Sequence, residues 1–291
     1  MYRAKFFILD VFAESRFLGN QLAVFTDLMG ISDKEMQQIA CELNFSETTF
    51  VISNKESEKG FPVRIFTPMQ EVVFAGHPTL GTAWLIQKEI IGKSVDKVTL
   101  DLKAGSIPVS FKENGLLWMK QLSPTFGENY NFELLAELLQ IKASEIDEHY
   151  PIEVVSTGLP AIIVPLKKLE SIKKIKIDKE KYFEFVSAID PKVILAFCPE
   201  TYSIDNHLNV RVFVDYFGIP EDPATGSGNG CLAGYLVKHK YFGAESIDIC
   251  VEQGYEINRP SRLYLKASKN LEKYSIEVGG KVQLIASGNW I

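Results

Sequence analysis

Gly76-His77-Pro78-Thr79-Leu80-Gly81 and Gly226-Ser227-Gly228-Asn229-Gly230-Cys231 stand 150 residues apart, and each opens an apolar run. The first continues as Thr82-Ala83-Trp84-Leu85-Ile86 and the second as Leu232-Ala233-Gly234-Tyr235-Leu236-Val237. Each follows an arginine-led, strand-like triplet, Arg64-Ile65-Phe66 and Arg211-Val212-Phe213. One architectural unit therefore occurs twice, and pseudo-symmetric halves with a site between them are the simplest reading. The unpaired N–H groups of each helix's first turn, four in number, favour a small anion such as a carboxylate.

Length agrees with duplication, since 291 residues at about 150 per domain predict two domains. The first half spans 1–122, with the last strand, about 276–291, able to return to it, and the second spans 123–275. The linker is placed at Ser123-Pro124-Thr125. Apolar residues make up 46% and charged ones 23%, an ordinary globular composition that excludes disorder. A net charge of −6 argues against general attraction to nucleic acid or anionic membrane. The densest basic stretch, Lys167 to Lys181, interleaves its lysines with Glu170, Asp178 and Glu180 and reads as a solvated face.

Asp10 ends the N-terminal apolar run too early for a signal peptide, and no stretch approaches roughly 20 apolar residues. Cys41, Cys198, Cys231 and Cys250 show no redox or zinc spacing, so a reducing cytoplasm is expected. His77, His149, His207 and His239 show no metal spacing. Gly228-Asn229-Gly230-Cys231-Leu232-Ala233 fits G-x-G-x-x-A, but Pro220-Glu221-Asp222-Pro223 before it cannot be the buried strand a dinucleotide site needs.

Strands are expected at 4–12 and 21–26 around a turn at Gly19-Asn20, and a helix after Ser32, capped by it, runs to near Asn44. A strand leads on from Phe45 and another covers 62–67. One helix runs from about His77 to Ile91, stopped by Gly92. Strands at 97–102, 106–111 and 116–121 complete the first half. The second half has helices near 131–140 and 178–188 and strands near 153–156, 161–165, 193–199 and 209–215. After the helix from Gly226 come strands at 248–253, 260–267 and 274–286.

Glu47 lies between Phe45 and Phe50 among Ser46, Thr48 and Thr49, a setting that can partly desolvate a carboxylate and suit it to proton transfer. Each candidate has a plain structural alternative when taken alone. Glu47 can be an exposed strand-entry residue, His77 a helix-cap residue and Asp222 a capping carboxylate.

Together these residues resemble the phenazine-biosynthesis-like isomerase family, relatives of diaminopimelate epimerase. The resemblance spans almost the whole chain. It rests on Asp10-Val11-Phe12 with Leu18-Gly19-Asn20-Gln21-Leu22-Ala23-Val24, Ser46-Glu47-Thr48, Phe74-Ala75-Gly76-His77-Pro78-Thr79 and Glu221-Asp222-Pro223-Ala224-Thr225-Gly226-Ser227. It implies an α+β fold of two pseudo-symmetric α/β halves, each a curled, barrel-like sheet around a central helix, assembled as a homodimer. It also implies a cofactor-independent isomerase acting on a small carboxylate-bearing substrate. By that resemblance Glu47 is the general acid/base, His77 and Asp222 orient substrate and proton, and Asn20, Ser46, Gly76, Gly226 and Ser227 bind substrate. The two-thiol epimerases carry a cysteine at each helix start, where this chain has Ala75 and Thr225, so a single-base proton shift is the better reading. An amino- or hydroxy-acid racemase or epimerase using Glu47 and Asp222 is one alternative. A non-catalytic small-molecule-binding protein is the other.

Overall fold

In the computed structural model, which describes residues 3–291, the chain divides into a unit formed by residues up to 120 with 279–291, and a unit formed by 121–278. The first unit contains β1 (Ala4–Val11), β2 (Asn20–Thr26), β3 (Glu47–Val51), β4 (Phe61–Phe66), β5 (Glu71–Val72), β6 (Lys97–Leu102), β7 (Gly105–Phe111) and β8 (Leu117–Lys120). The final strand of the chain, β18 (Val282–Trp290), also belongs to it. The ladder runs β18-β1-β2-β3-β4-β6-β7-β8, with β5 hairpinned onto β4. Only β2–β3 and β4–β6 are parallel, and helices α1 (Asp33–Leu43) and α2 (Gly76–Leu85) make those two crossovers.

The sheet curls around α2 without closing, and α2 touches β1, β2, β3, β6, β7, β8 and β18. Its residues from Gly76 to Ala83 are all buried, which is why the helix carries no polar stripe. At Gly81 a Cβ would stand 2.5 Å from Leu22 Cδ2 and 2.8 Å from Val11 Cγ2, so the missing side chain is what lets the strands approach. On the opposite face of the sheet, α1 packs Met36, Ile39 and Ala40 against Phe25, Phe50 and Phe66. Ser32 caps α1 and the helix ends at Asn44, as the sequence predicts; the cap is a reciprocal box with Glu35, and Asn44 lies in the left-handed region.

The second unit repeats this plan. It contains β9 (Thr125–Tyr130), α3 (Phe132–Leu138), β10 (Ile152–Ser156), β11 (Pro160–Pro165), α4 (Leu169–Lys174), α5 (Lys179–Ser187), β12 (Val193–Cys198), β13 (Leu208–Val214), β14 (Ile219–Asp222), α6 (Gly226–Lys238), β15 (Ser246–Gln253), β16 (Ser261–Asn270) and β17 (Lys273–Gly280, whose last two residues fall in the first unit). The ladder β9-β10-β11-β12-β13-β15-β16 has the same parallel steps, at β11–β12 and β13–β15, and the same short side strand, β14 on β13. α6 takes the place of α2, while α3, α4 and α5 cover the other face. Strands β12 and β13 are buried along their whole length, covered on both faces.

The two units carry equivalent arginine forks before their central helices. Arg64 on β4 grips Glu71 on β5 with Nε–Oε1 at 2.8 Å and Nη2–Oε2 at 2.9 Å. Arg211 on β13 grips Glu221 on β14 at 2.9 and 2.6 Å through the same atoms. Both guanidinium groups also lie over a ring two residues on, Phe66 at 5.1 Å and Phe213 at 5.0 Å. Their remaining donors reach the outer helices. Arg64 holds Asp33, the first residue of α1, at 2.6 Å, and Arg211 holds the carbonyls of Ile172 and Ile175 at 2.9 and 3.0 Å.

Three sequence expectations are corrected. The helix expected over 77–91 is α2 followed by a wider π turn over Ile86–Ile91, ended by Gly92, whose N–H reaches back to Gln87 O. The strand expected over 274–286 is two strands, β17 and β18, separated at Lys281. Strands β5, β9 and β14 and helix α4 were not expected at all. The seven-lysine stretch holds α4 and the start of α5, and its side chains pair with Glu170, Glu145, Asp215 and Glu137, consistent with a solvated face. Among the described residues no helix is long and apolar enough to cross a membrane.

The two forks differ in burial: the Arg211 and Glu221 side chains are each 9% exposed, against 23% for Arg64. Arg211→Met therefore should cost about 3–5 kcal/mol, since it uncovers a buried carboxylate. Arg64→Met should cost about 1–2 kcal/mol. Urea unfolding of the two variants checks the ranking, and equal losses would contradict it.

Candidate active site

In the first unit the turn before β2 depends on Gly19. Its φ is +73°, and a Cβ there would stand 2.3 Å from Val11 O. Asp10 Oδ2 accepts the Phe17 N–H at 2.7 Å and holds the loop from within. The turn delivers Asn20, buried, as the first residue of β2 opposite Val11. The parallel step then sets Leu22 beside Glu47, the first residue of β3. Thr49 Oγ1 meets Thr82 Oγ1 at 2.8 Å, which ties β3 to α2.

These constraints bring Asn20, Glu47 and His77 together. Asn20 Nδ2 lies 3.3 Å from His77 Nδ1, and His77 Nε2 lies 3.5 Å from Glu47 Oε2. His77 is buried as the second residue of α2, so it is neither an exposed cap nor a surface ligand. Burial pushes its pKa down to about 3, although a hydrogen bond to the Gln21 backbone pulls upward. The ring is neutral at neutral pH, which makes the contact with Glu47 polar rather than ionic. A hydrogen bond that raises the ring's pKa is one the ring donates, so the Gln21 carbonyl and Glu47 compete for the single proton of the neutral imidazole. The Glu47 side chain keeps 17% of its surface exposed, so it is neither sealed off nor freely solvated. Ser46 before it is half-buried.

In the second unit Asp222 ends β14 and is buried. It does not cap α6, whose cap residue is Thr225. Instead its Oδ2 accepts the Thr225 hydroxyl at 2.6 Å. Gly226 is buried and Ser227 half-buried in the first turn that follows. Neither helix start offers the four donors expected of it. In α2, Pro78 has no N–H, and in α6 the Thr225 N–H is taken by Gln253 Oε1 at 3.2 Å. Gly226, Ser227 and Gly228 carry the N–H groups that have no helical carbonyl ahead of them.

No thiol stands at either cap, Ala75 or Thr225. Cys231 lies inside α6 and Cys198 in β12, and burial pushes them up to about 11 and about 12, away from thiolate chemistry. Sequence reading brought out Glu47, His77, Asp222 and Asn20 but missed Gln253 and Asn229. The forking glutamates also went unread as a pair, although Glu71 and Glu221 each precede the helix glycine by five residues.

The family model for phenazine biosynthesis-like proteins matches residues 9–288. The chain is 33% identical to the trans-2,3-dihydro-3-hydroxyanthranilate isomerase of Pseudomonas aeruginosa over 292 aligned positions, covering 98% of each. It is similar to the crystal structure of a PhzF-family phenazine biosynthesis protein from Bacillus anthracis, with a TM-score of 0.89, 30% identity and full coverage of both chains. A hydroxyproline epimerase from Agrobacterium vitis shares the fold alone, with a TM-score of 0.64 and 10% identity over 100% of this chain and 94% of that one.

Because His77 has a folded pKa of about 3 against 6.5 unfolded, the unfolded chain binds more protons between those values. Its contribution to stability is full above about pH 6.5 and is lost as pH falls toward 3. Between pH 7 and pH 5 the loss should be about 2 kcal/mol, absent in His77→Gln. Urea unfolding of both proteins at the two pH values checks it, and a His77 ring signal that titrates near pH 6.5 would refute it.

Proposed function

The chain belongs to the phenazine biosynthesis-like protein family and is an isomerase of its PhzF branch, and from that premise we propose that it moves a proton on a small carboxylate-bearing substrate with Glu47 as the single general acid/base. The observation that carries this reading is the Glu47 carboxylate set 3.5 Å from the Nε2 of a buried, neutral imidazole. A neutral ring packs beside the carboxylate while adding no charge to it, which leaves Glu47 free to take up and release a proton. Contacts of this length tighten when substrate is bound.

In the proposed reaction the Glu47 carboxylate takes a proton from a carbon next to an unsaturated system. The electron pair of the broken C–H bond enters that system and the double bond migrates. Glu47 then returns the same proton to a different carbon, so nothing is gained or lost and one base suffices. Charge that spreads toward the substrate carboxylate calls for preorganised donors, and the Gly226, Ser227 and Gly228 N–H groups with the Ser227 hydroxyl are assigned to that role. Preorganised donors of this kind contribute about 3–4 kcal/mol each to a transition state. Gly76, Ser46 and Asp222 are assigned to substrate contact.

The substrate class proposed is a cyclic, unsaturated amino acid of the type named for the Pseudomonas aeruginosa relative. A two-thiol epimerase mechanism has no support from Ala75 and Thr225 at the helix caps. Proton NMR in deuterated buffer with trans-2,3-dihydro-3-hydroxyanthranilate tests the reading. Wild type should migrate the double bond, and Glu47→Gln should lose about 10³-fold or more in rate while its unfolding midpoint stays close to wild type. Equal rates in the two proteins would end the single-base scheme.

A further inference from the structure

Gln253, the last residue of β15, is fully buried and makes four hydrogen bonds to the segment that enters α6. Its Nε2 donates to Asp222 O at 2.7 Å and to Thr225 Oγ1 at 3.1 Å. Its Oε1 accepts from the Thr225 N–H at 3.2 Å and from Asn229 Nδ2 at 2.9 Å. Asn229 Nδ2 also donates to Thr225 O at 3.0 Å.

The direction of every bond in this network is fixed. A backbone N–H can only donate and a backbone carbonyl can only accept, so the Thr225 N–H identifies Oε1 of Gln253 and the Asp222 carbonyl identifies Nε2. Turning the amide over would place donor against donor and acceptor against acceptor in a dry site. With Nε2 donating into Thr225 Oγ1, the one hydroxyl proton of Thr225 is directed to Asp222 Oδ2, 2.6 Å away. A proton on that carboxylate oxygen would force the buried hydroxyl to give up its acceptor.

We propose that Thr225 and Gln253 are positioning residues that act through Asp222, holding it as an ionised acceptor for a donor group of the substrate, an ammonium or a hydroxyl. Asp222 is then an anchor and not a second acid. Thr225, at the helix cap, is equally excluded from delivering a proton, because its only one is committed within the network. The inference rests on the reading that Asp222 meets the substrate, and it supplies what that reading leaves open, the state in which Asp222 does so.

Two readouts test it. The first needs no substrate: protein labelled with ¹³C at the aspartate carboxyl should show the Asp222 signal, assigned by its loss in Asp222→Asn, at a carboxylate shift at pH 7. A protonated shift there overturns the proposal. The second uses trans-2,3-dihydro-3-hydroxyanthranilate. Thr225→Val and the similarly shaped Gln253→Met, which cannot donate to Thr225, should raise KM about tenfold while kcat stays within about threefold. Thr225→Ser should restore the wild-type KM. A fall in kcat with KM unchanged would mean that Asp222 moves a proton and would overturn the proposal. If wild type leaves this substrate unchanged, it is the proton-shift reading that fails, and the carboxyl signal still decides the state of Asp222.

Discussion

A guanidinium group forked onto a glutamate decides where each central helix begins. Arg64 and Arg211 sit on the long strands β4 and β13, and Glu71 and Glu221 on strands of only 2 and 4 residues. Strands so short have too few ladder bonds to hold themselves, and the bidentate fork supplies the missing rigidity. Five residues later the chain must turn into a helix that is almost wholly buried, so any play in the hairpin would become play in the first helical turn. The same arginine reaches outward as well. It meets opposite helix ends in the two units: at the start of α1 the Asp33 carboxylate draws the arginine despite the positive end of the helix dipole, and near the end of α4 the carbonyls themselves favour a cation. One side chain thereby ties inner helix, sheet and outer helix together.

Equivalent positions keep this frame and vary the chemistry. Thr79 and Asn229 each donate back to the carbonyl of their own cap residue, at 2.7 and 3.0 Å, so the two first turns are braced alike. Where Ala75 is inert, Thr225 is enmeshed in hydrogen bonds. Where the first unit has His77, the second has Ser227, the one ring-bearing and sealed, the other small and half-buried. The duplication preserved what holds the helix start and released what faces outward from it.

Much of this was legible in the chain because the central helices are unusual: glycine-led, apolar on every side and repeated at a fixed spacing. The capping signals of Ser32 and Asn44 are local, and so they read correctly. What failed to read was set by partners far along the chain. β14 is four residues with Pro220 inside it, and only its pairing to β13 makes it a strand. The lysines around α4 hid a helix whose two buried residues, Ser171 and Ile172, are too few to show a period. The π turn inserts an extra residue that no hydrophobic spacing announces. At the site, Glu47 and His77 were suggested by their neighbours, but Gln253 sits 28 residues beyond Thr225 and carries no local mark. Its importance lies in geometry that only the folded sheet creates.

The edge of the first unit is closed by β18, which holds beside β1 the place that β9 holds beside β10. The second unit takes that strand from its own beginning, and the first takes it from the far end of the chain. On a ribosome, which makes the chain at about 5–20 residues per second, β1 pairs with β2 at once but must wait through the whole of the second unit for its other neighbour. Trp290 on that late strand is the ring that meets Phe6 and Phe25 edge-on, so the aromatic layer over the sheet also waits. The unit translated first is thus completed last, and during that interval β1 offers an unpaired edge, the feature of a nascent chain most open to wrong partners.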